Sequence, residues 1–293
     1  MTTKGLFIGM TTVDMQYLVD VFPQENLKSN AQGFQMATGG PATNAAAAFA
    51  ILGGRSSLCA AIGEHAFTPF MRQDLAGYGI HIVDLSPESR QLPPFSSIIT
   101  TKSSGERSVV AYMGSNTAAV ISPLPGIAAG DFDIVLLDGF QMPVGQSIAI
   151  EAREKGIPVV LDGGSWKKGL ESLLTVVDIA ICSADFRPPG CDAGSGPREV
   201  LDYLTASGVA FAAITRGEKP VLYYDGDQYG EIPVEQVKVV DTLGAGDIFH
   251  GAFCFYFAEQ KDFAAALDKA ARVAAKSCAF FGARAWGETT INN

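Results

Sequence analysis

The stretch VVDTLGAGDIFHGAFCF, residues 239 to 255, places two acids and three small residues between a strand-like run and an apolar helix-like run. Gly244 and Gly246 serve to turn the chain, but a turn alone has no need of Asp247. A helix start presents unpaired backbone N–H groups and the positive end of its dipole. The small side chains at Gly244, Ala245 and Gly246 leave those donors open to an anion or an oxygen-rich group. An acid in a first helical turn also works as a plain capping group. Two readings therefore stand for Asp247: a cap, or a base planted where backbone donors converge.

A second helix start has the same character. In GGPATNAAAAFAIL, Gly39 and Gly40 precede Pro41, a residue suited to the first helical position, and an alanine-rich helix follows. The stretch around Asp247 is not a dinucleotide fingerprint, because G-x-G-x-x-G needs glycine where Phe249 stands. A Walker loop is excluded as well, since the chain contains no Gly-Lys pair.

Outward from these motifs, apolar runs recur as LFIGM, SLCAAIG, DIVLLDGF, PVVLDGG, DIAICSA and FAAITRG. Segments of helical period and length separate most of them, for example 143–155 and 196–206. This alternation predicts an α/β protein with a central, mostly parallel sheet covered by helices on both faces. Residues 15–38 and 94–114 break the pattern, reading as strands joined by polar turns with no helix between them. They predict a small separate β-sheet, a lid over the main layer. The whole of 1–293 reads as one domain carrying that inserted lid.

Bulk properties narrow the function. A formal charge of -10, from 21 basic and 31 acidic residues, disfavours nucleic acid and anionic membrane surfaces. Any anionic ligand must be gripped locally. Apolar runs such as AFCFYFA are too short to span a bilayer, and the N-terminal residues carry no recognisable secretion signal. Five cysteines without a C-x-x-C pair suit reduced thiols, so a cytoplasmic setting is expected.

DTLGAGD resembles the C-terminal signature D-T-x-G-A-G-D of the ribokinase-like (PfkB) carbohydrate kinases, and GGPATNAAAAFAILG resembles their N-terminal Gly-Gly signature. The resemblance runs over nearly the whole chain and implies the three-layer α/β/α ribokinase-like fold. It also implies ATP-dependent phosphorylation of a hydroxyl, in particular a primary one, of a small sugar or sugar acid. By resemblance Asp247 is the catalytic base and Gly244, Ala245 and Gly246 form the anion hole for the γ-phosphate. Asp14 after the first strand, with Gly39, Gly40 and Asn44, would bind the acceptor; a carboxylate accepts from two adjacent hydroxyls, while the amide of Asn44 has capping its own helix as an alternative. Thr215 and Gly217 in ITRGEKP, and Gly282 and Ala283 in FFGARAW, match the nucleotide-side turns.

The resemblance further implies ATP and Mg²⁺ as cofactors and a monovalent cation, K⁺, near Asp241; the apolar strand pattern of YLVDVF and SIITT, whose edges can pair, predicts a homodimer formed through the lid. Where relatives carry N-x-x-E, this chain has Ser183 and Phe186, with Asp185 as a candidate substitute, which leaves the handling of Mg²⁺ open. Pro41 replaces the lysine that ribokinases proper tend to carry, so ribose is not favoured. Lys28, Lys102 and Arg107 read as solvated lid charges and His250 as a half-buried helix histidine; Trp166 and Trp286 read as packing. A nucleoside or vitamin-alcohol acceptor, and a non-catalytic sugar or nucleotide sensor on the same scaffold, remain as alternatives.

Overall fold

The computed structural model describes residues 2–114 and 128–287. In chain order its strands begin with β1 (Lys4–Gly9), β2 (Thr12–Val19), β3 (Gly33–Gly39), β4 (Arg55–Ala60), β5 (His81–Asp84), β6 (Phe95–Thr101) and β7 (Arg107–Tyr112). They continue with β8 (Ile134–Leu137), β9 (Val159–Gly163), β10 (Ile179–Ser183), β11 (Phe211–Arg216), β12 (Lys219–Tyr224) and β13 (Tyr229–Ile232). The helices are α1 (Pro41–Ile51), α2 (Thr68–Gly77), α3 (Met142–Glu154), α4 (Leu170–Leu174), α5 (Pro197–Ala206), α6 (Ala245–Gln260) and α7 (Phe263–Ser277). Nine strands form one sheet in the order β13-β12-β11-β10-β9-β8-β1-β4-β5. All pairs are parallel except the β11-β12-β13 meander at one edge.

The six apolar runs become central strands because both of their faces are covered. Successive side chains point to opposite faces, and the two cores record it: Phe7, Ile134, Leu136 and Val160 pack with α1, α2, α6 and α7. Leu6, Ile8, Val135 and Leu161 pack with α3, α4 and α5 on the other side. Helices α1 and α6 lie unusually close, since a Cβ on Gly251 would stand 2.2 Å from the Ala45 carbonyl oxygen. The alanine run 45–48 supplies the matching low-relief surface. This contact brings the two motif helices side by side.

The four remaining strands form a second sheet in the order β3-β2-β6-β7. Only Met10 and Thr11 separate β1 from β2, so the chain leaves the main sheet at the carboxyl end of β1 and enters the lid at once. That end is also a topological switch point. From β1 the main sheet runs to β4 on one side and to β8 on the other, which is where open α/β sheets form their ligand crevice. Register fixes the lid's inner face: Asp14 pairs with Ala37 and Ser96, and Gln16 with Gln35 and Ile98. The alternate row, Met15 with Met36 and Ser97, then Ser97 with Val110, faces away.

Candidate active site

Gly244 caps α6 in the left-handed conformation, φ 71°, a geometry that glycine adopts without strain. A Cβ there would stand 3.0 Å from that of Ala283 and 3.6 Å from Asn44 Nδ2. A Cβ on Gly246 would meet nothing within 4 Å, so the first turn of α6 faces open space. Its amides lack intrahelical partners because they begin the helix. Asp247 follows in the same turn, with the Asn44 side-chain amide donating to its Oδ2 at 2.8 Å.

Asn44 stands in α1 and reaches across to α6, and it does not cap its own helix, whose N-cap residue Gly40 carries no side-chain hydrogen bond. It also lines a pocket with Asp14, Gln16, Gln35, Ala37, Leu243, Ala283 and Arg284. Gly39 and Gly40 allow the close approach this requires. A Cβ on Gly39 would stand 1.8 Å from Asp14 Oδ2, and Gly40 has φ 100° with its missing Cβ 2.4 Å from the Met10 carbonyl oxygen. Asp14 is oriented by the Thr12 hydroxyl at 2.6 Å. Asp138, at the end of β8, accepts the amides of Met10 and Ala42 and so pins the start of α1 to the switch point.

Electrostatics follow from this crowding. Burial raises the Asp247 carboxyl to about 7, with the charge of Asp162 pushing in the same direction and the Asn44 hydrogen bond and His250 pulling it down. A carboxylate poised there suits proton transfer at neutral pH. Asp14 is raised too, mainly by burial, and Asp138 is pushed up to about 6 for the same reason.

The remaining expected residues fall at different distances from this pocket. Gly282, φ 91°, donates its amide to Asp241 at 2.8 Å and faces the side chain of Gln35, while Ala283 lines the Asp14 pocket. Both therefore lie near Asp14 and Gln35. Thr215, whose hydroxyl donates to the Cys182 carbonyl at 3.3 Å, and Gly217 in the β11-β12 turn stand apart at the carboxyl end of β11. His250 is buried, not half-buried: its ring nitrogens lie 2.7 Å from the Gly246 carbonyl and 2.9 Å from that of Ile181, tying α6 to β10. Arg107 is exposed as expected but also contacts the Thr242 hydroxyl with its guanidinium. Phe186, at the position of the missing glutamate, is fully buried edge-on to Trp166, and Asp185 is exposed.

Four residues of the site were missed. Gln16 was detectable, because it follows Asp14 by two in a strand and must share its face. Gln35 pairs with it in register. Arg284 is buried, with Nη1 2.7 Å from Asp74 and another nitrogen donating to the Thr38 carbonyl. Its Nε is buried without a partner, and only the structure reveals that. Asp162, buried at the end of β9, has an Oδ2 with no hydrogen-bond partner, 3.5 Å from His250 Nδ1. An acid ending an otherwise apolar strand was its one signal.

A nine-stranded α/β/α layer with a small sheet over its switch point, and a glycine-flanked helix start facing a paired acid, define a kinase of the ribokinase fold. The model of the pfkB family carbohydrate kinases matches residues 2–290, and the chain belongs to that family. It is similar to the deoxyribokinase of Salmonella typhi, 27% identical over 92% of this chain and 90% of that protein. A candidate ribokinase from Agrobacterium tumefaciens superposes with a TM-score of 0.85 at 27% identity, covering 100% of this chain and 97% of that one. The ribokinase of Arabidopsis thaliana, solved with ribose and ATP, shares the fold at TM-score 0.78 and 20% identity, covering 100% and 98%. The protein is thus an ATP-dependent sugar kinase by family. No helix among the described residues is long and apolar enough to cross a membrane.

Proposed function

We propose that this kinase transfers the γ-phosphoryl group of ATP to a hydroxyl, a primary one, of a small sugar or sugar acid. The observation that carries the reading is the Asn44 bridge, since one side chain both lines the Asp14 pocket and donates to Asp247. An acceptor held by Asp14, Asn44 and the backbone at Gly39 and Gly40 would present its hydroxyl to Asp247. That carboxylate takes the proton as the oxygen attacks phosphorus. The amides of Gly244 and Gly246, with that of Ala245 once it is released from the Thr242 carbonyl 3.3 Å away, would stabilise the charge on the transferring group. The buried guanidinium of Arg284 beside Asp14 supports an acceptor rich in oxygen atoms, which includes sugar acids.

The nucleotide would approach from the β11 side, with Thr215 and Gly217 contacting it. Gly282 and Ala283 fit the acceptor side better than the adenine side. Mg²⁺ bound with nucleotide phosphates keeps several waters and takes one or two carboxylates. Asp162, with its unpartnered buried oxygen, fits that role; the ion would neutralise phosphate charge. The lid's outer row supports a homodimer, because Phe34, Met36 and Val110 are exposed there at 58, 37 and 70%. All five thiols are free, which supports a reducing, cytoplasmic setting. The residues from 1 to 293 would then act as one catalytic domain with its lid at 15–38 and 94–114.

The test is an ADP-release assay with ATP and Mg²⁺ across sugars, sugar acids, nucleosides and vitamin alcohols. Turnover confined to sugars or sugar acids is expected. Preference for a nucleoside or vitamin alcohol would overturn the acceptor class, and tight sugar binding with no ADP formed would make the protein a sensor.

A further inference from the structure

The resemblance places a monovalent cation beside Asp241, and the residues present do not fit one. Asp241 is buried, and donors occupy both of its oxygens. Oδ2 accepts Gln16 Nε2 at 2.5 Å and the Gly282 amide at 2.8 Å. Oδ1 accepts the Leu243 amide at 3.0 Å and the Thr100 hydroxyl at 3.5 Å. A carboxylate offers about four lone-pair directions, and these four contacts use them. A cation would have to expel a donor to reach either oxygen.

The orientation of the Gln16 amide is fixed by its surroundings. Reversed, it would set Oε1 against a carboxylate oxygen, two acceptors with no proton between them. With Nε2 inward, one proton goes to Asp241 and the other to the Thr100 hydroxyl at 3.0 Å, which in turn donates to Asp241. The three side chains close a ring of hydrogen bonds, and all three residues are at most 3% exposed. Unpaired polar groups at such depth are costly, so the ring is stable only when complete.

The ring also joins two parts of the enzyme. Gln16 stands on β2 and Thr100 on β6, both in the lid, whereas Asp241 opens the loop that reaches Gly244 three residues later. Arg107, on the lid's β7, contacts Thr242 in the same loop. We propose that the Gln16 amide takes the place of a monovalent cation at Asp241, so that the phosphate-binding loop is held by the lid and the enzyme is not activated by K⁺. Only the kinetic consequence rests on the proposed kinase function; the exclusion of a cation from Asp241 does not.

The test compares the full-length protein in KCl, NaCl and tetramethylammonium chloride at equal ionic strength. Melting temperatures should agree to within about 1 °C, because an ion that does not bind the folded state does not stabilise it. Thallium-205 resonances should show no saturable broadening on adding the protein. With the best acceptor from the substrate screen, kcat should vary by less than about twofold across the series. Gln16→Ala removes both amide donors, and its melting temperature should rise saturably with K⁺ as the ion enters. A saturable, K⁺-specific rise in the melting temperature of the unaltered protein, or saturable Tl⁺ binding to it, would overturn the proposal whether or not any acceptor gives turnover. A Gln16→Ala protein that folds and stays indifferent to K⁺ would overturn the replacement itself, and should that variant not fold, Gln16→Met, of similar length and without donors, takes its place.

Discussion

The side-chain amide of Asn44 donates to Oδ2 of Asp247 at 2.8 Å, linking the first turns of the two helices that carry the chain's two signatures. The bond favours the charged form of an acid that burial and Asp162 push up to about 7. Removing it raises the carboxyl further. In Asn44→Ala the acid limb of the kcat profile should therefore move to higher pH, by about half a unit to one unit. A series of kcat values from pH 5.5 to 9 checks this, and an unmoved limb would mean that Asp247 is not the group reported.

Asp247→Asn should lower kcat by about 10²- to 10⁴-fold, the usual worth of a positioned general base. ATP binding, followed by calorimetry, should survive. The same change should stabilise the fold above neutrality. A carboxyl whose folded value is raised contributes stability below its unfolded value and loses it as pH rises through about 7. At pH 8 the native acid carries a charge that its site disfavours, and the neutral amide removes that cost. A melting temperature raised by roughly 2–5 °C at pH 8, with a smaller rise at pH 5 and little change only below about pH 4, is expected. A variant that is less stable at pH 8 than at pH 5, relative to the native protein, would show that the acid is not strained by its surroundings.

How much of this was legible depends on whether the deciding force was local. The central strands were readable because burial on both faces leaves continuous apolar runs, as in Val159–Gly163, and the helix starts were readable because glycine and proline act over a few residues. The strands β5, β12 and β13 were not singled out: His81–Asp84 is short and borders no apolar run, and the meander 219–232 carries polar and aromatic residues together at a sheet edge. Within the site, Asp14, Asn44 and Asp247 sit in motifs. Arg284 and Gln16 act through partners 210 and 225 residues away, Asp74 and Asp241. Such pairings are fixed by the closure of the fold, and no spacing in the chain records them. The closeness of Gly282 to Gln35 was hidden for the same reason, since Gln35 belongs to the lid.

Gly39→Ala tests the acceptor pocket without disturbing the fold. Gly39 lies outside the positive-φ region, so alanine fits its backbone. The added Cβ would stand 1.8 Å from Asp14 Oδ2. Asp14 must rotate away, breaking the 2.6 Å bond from the Thr12 hydroxyl. The KM for the acceptor should rise by about tenfold or more while that for ATP stays near its native value, the mark of a lost acceptor contact. Equal losses for both substrates would place Gly39 and Asp14 outside the acceptor pocket.

The lid's outer face carries the last expectation. Strand β7 is an edge strand whose residues are all exposed, and Val110 at 70% continues a row through Ser97 and Met15 to Met36 on the opposite edge. Phe34, 58% exposed and packed against Tyr17, extends the same face. An apolar face bounded by an edge that no described strand pairs with invites a second copy of the sheet, which would cover the face and the edge together. The protein should sediment as a dimer at micromolar concentration, and Val110→Lys, which sets a charge on the edge strand of that surface, should shift it to monomer. Because Val110 points away from Asp14 and Gln16, the folded monomer should keep its native circular dichroism spectrum. A native protein that sediments only as a monomer would leave the exposed row without a partner and remove the lid from the dimer interface.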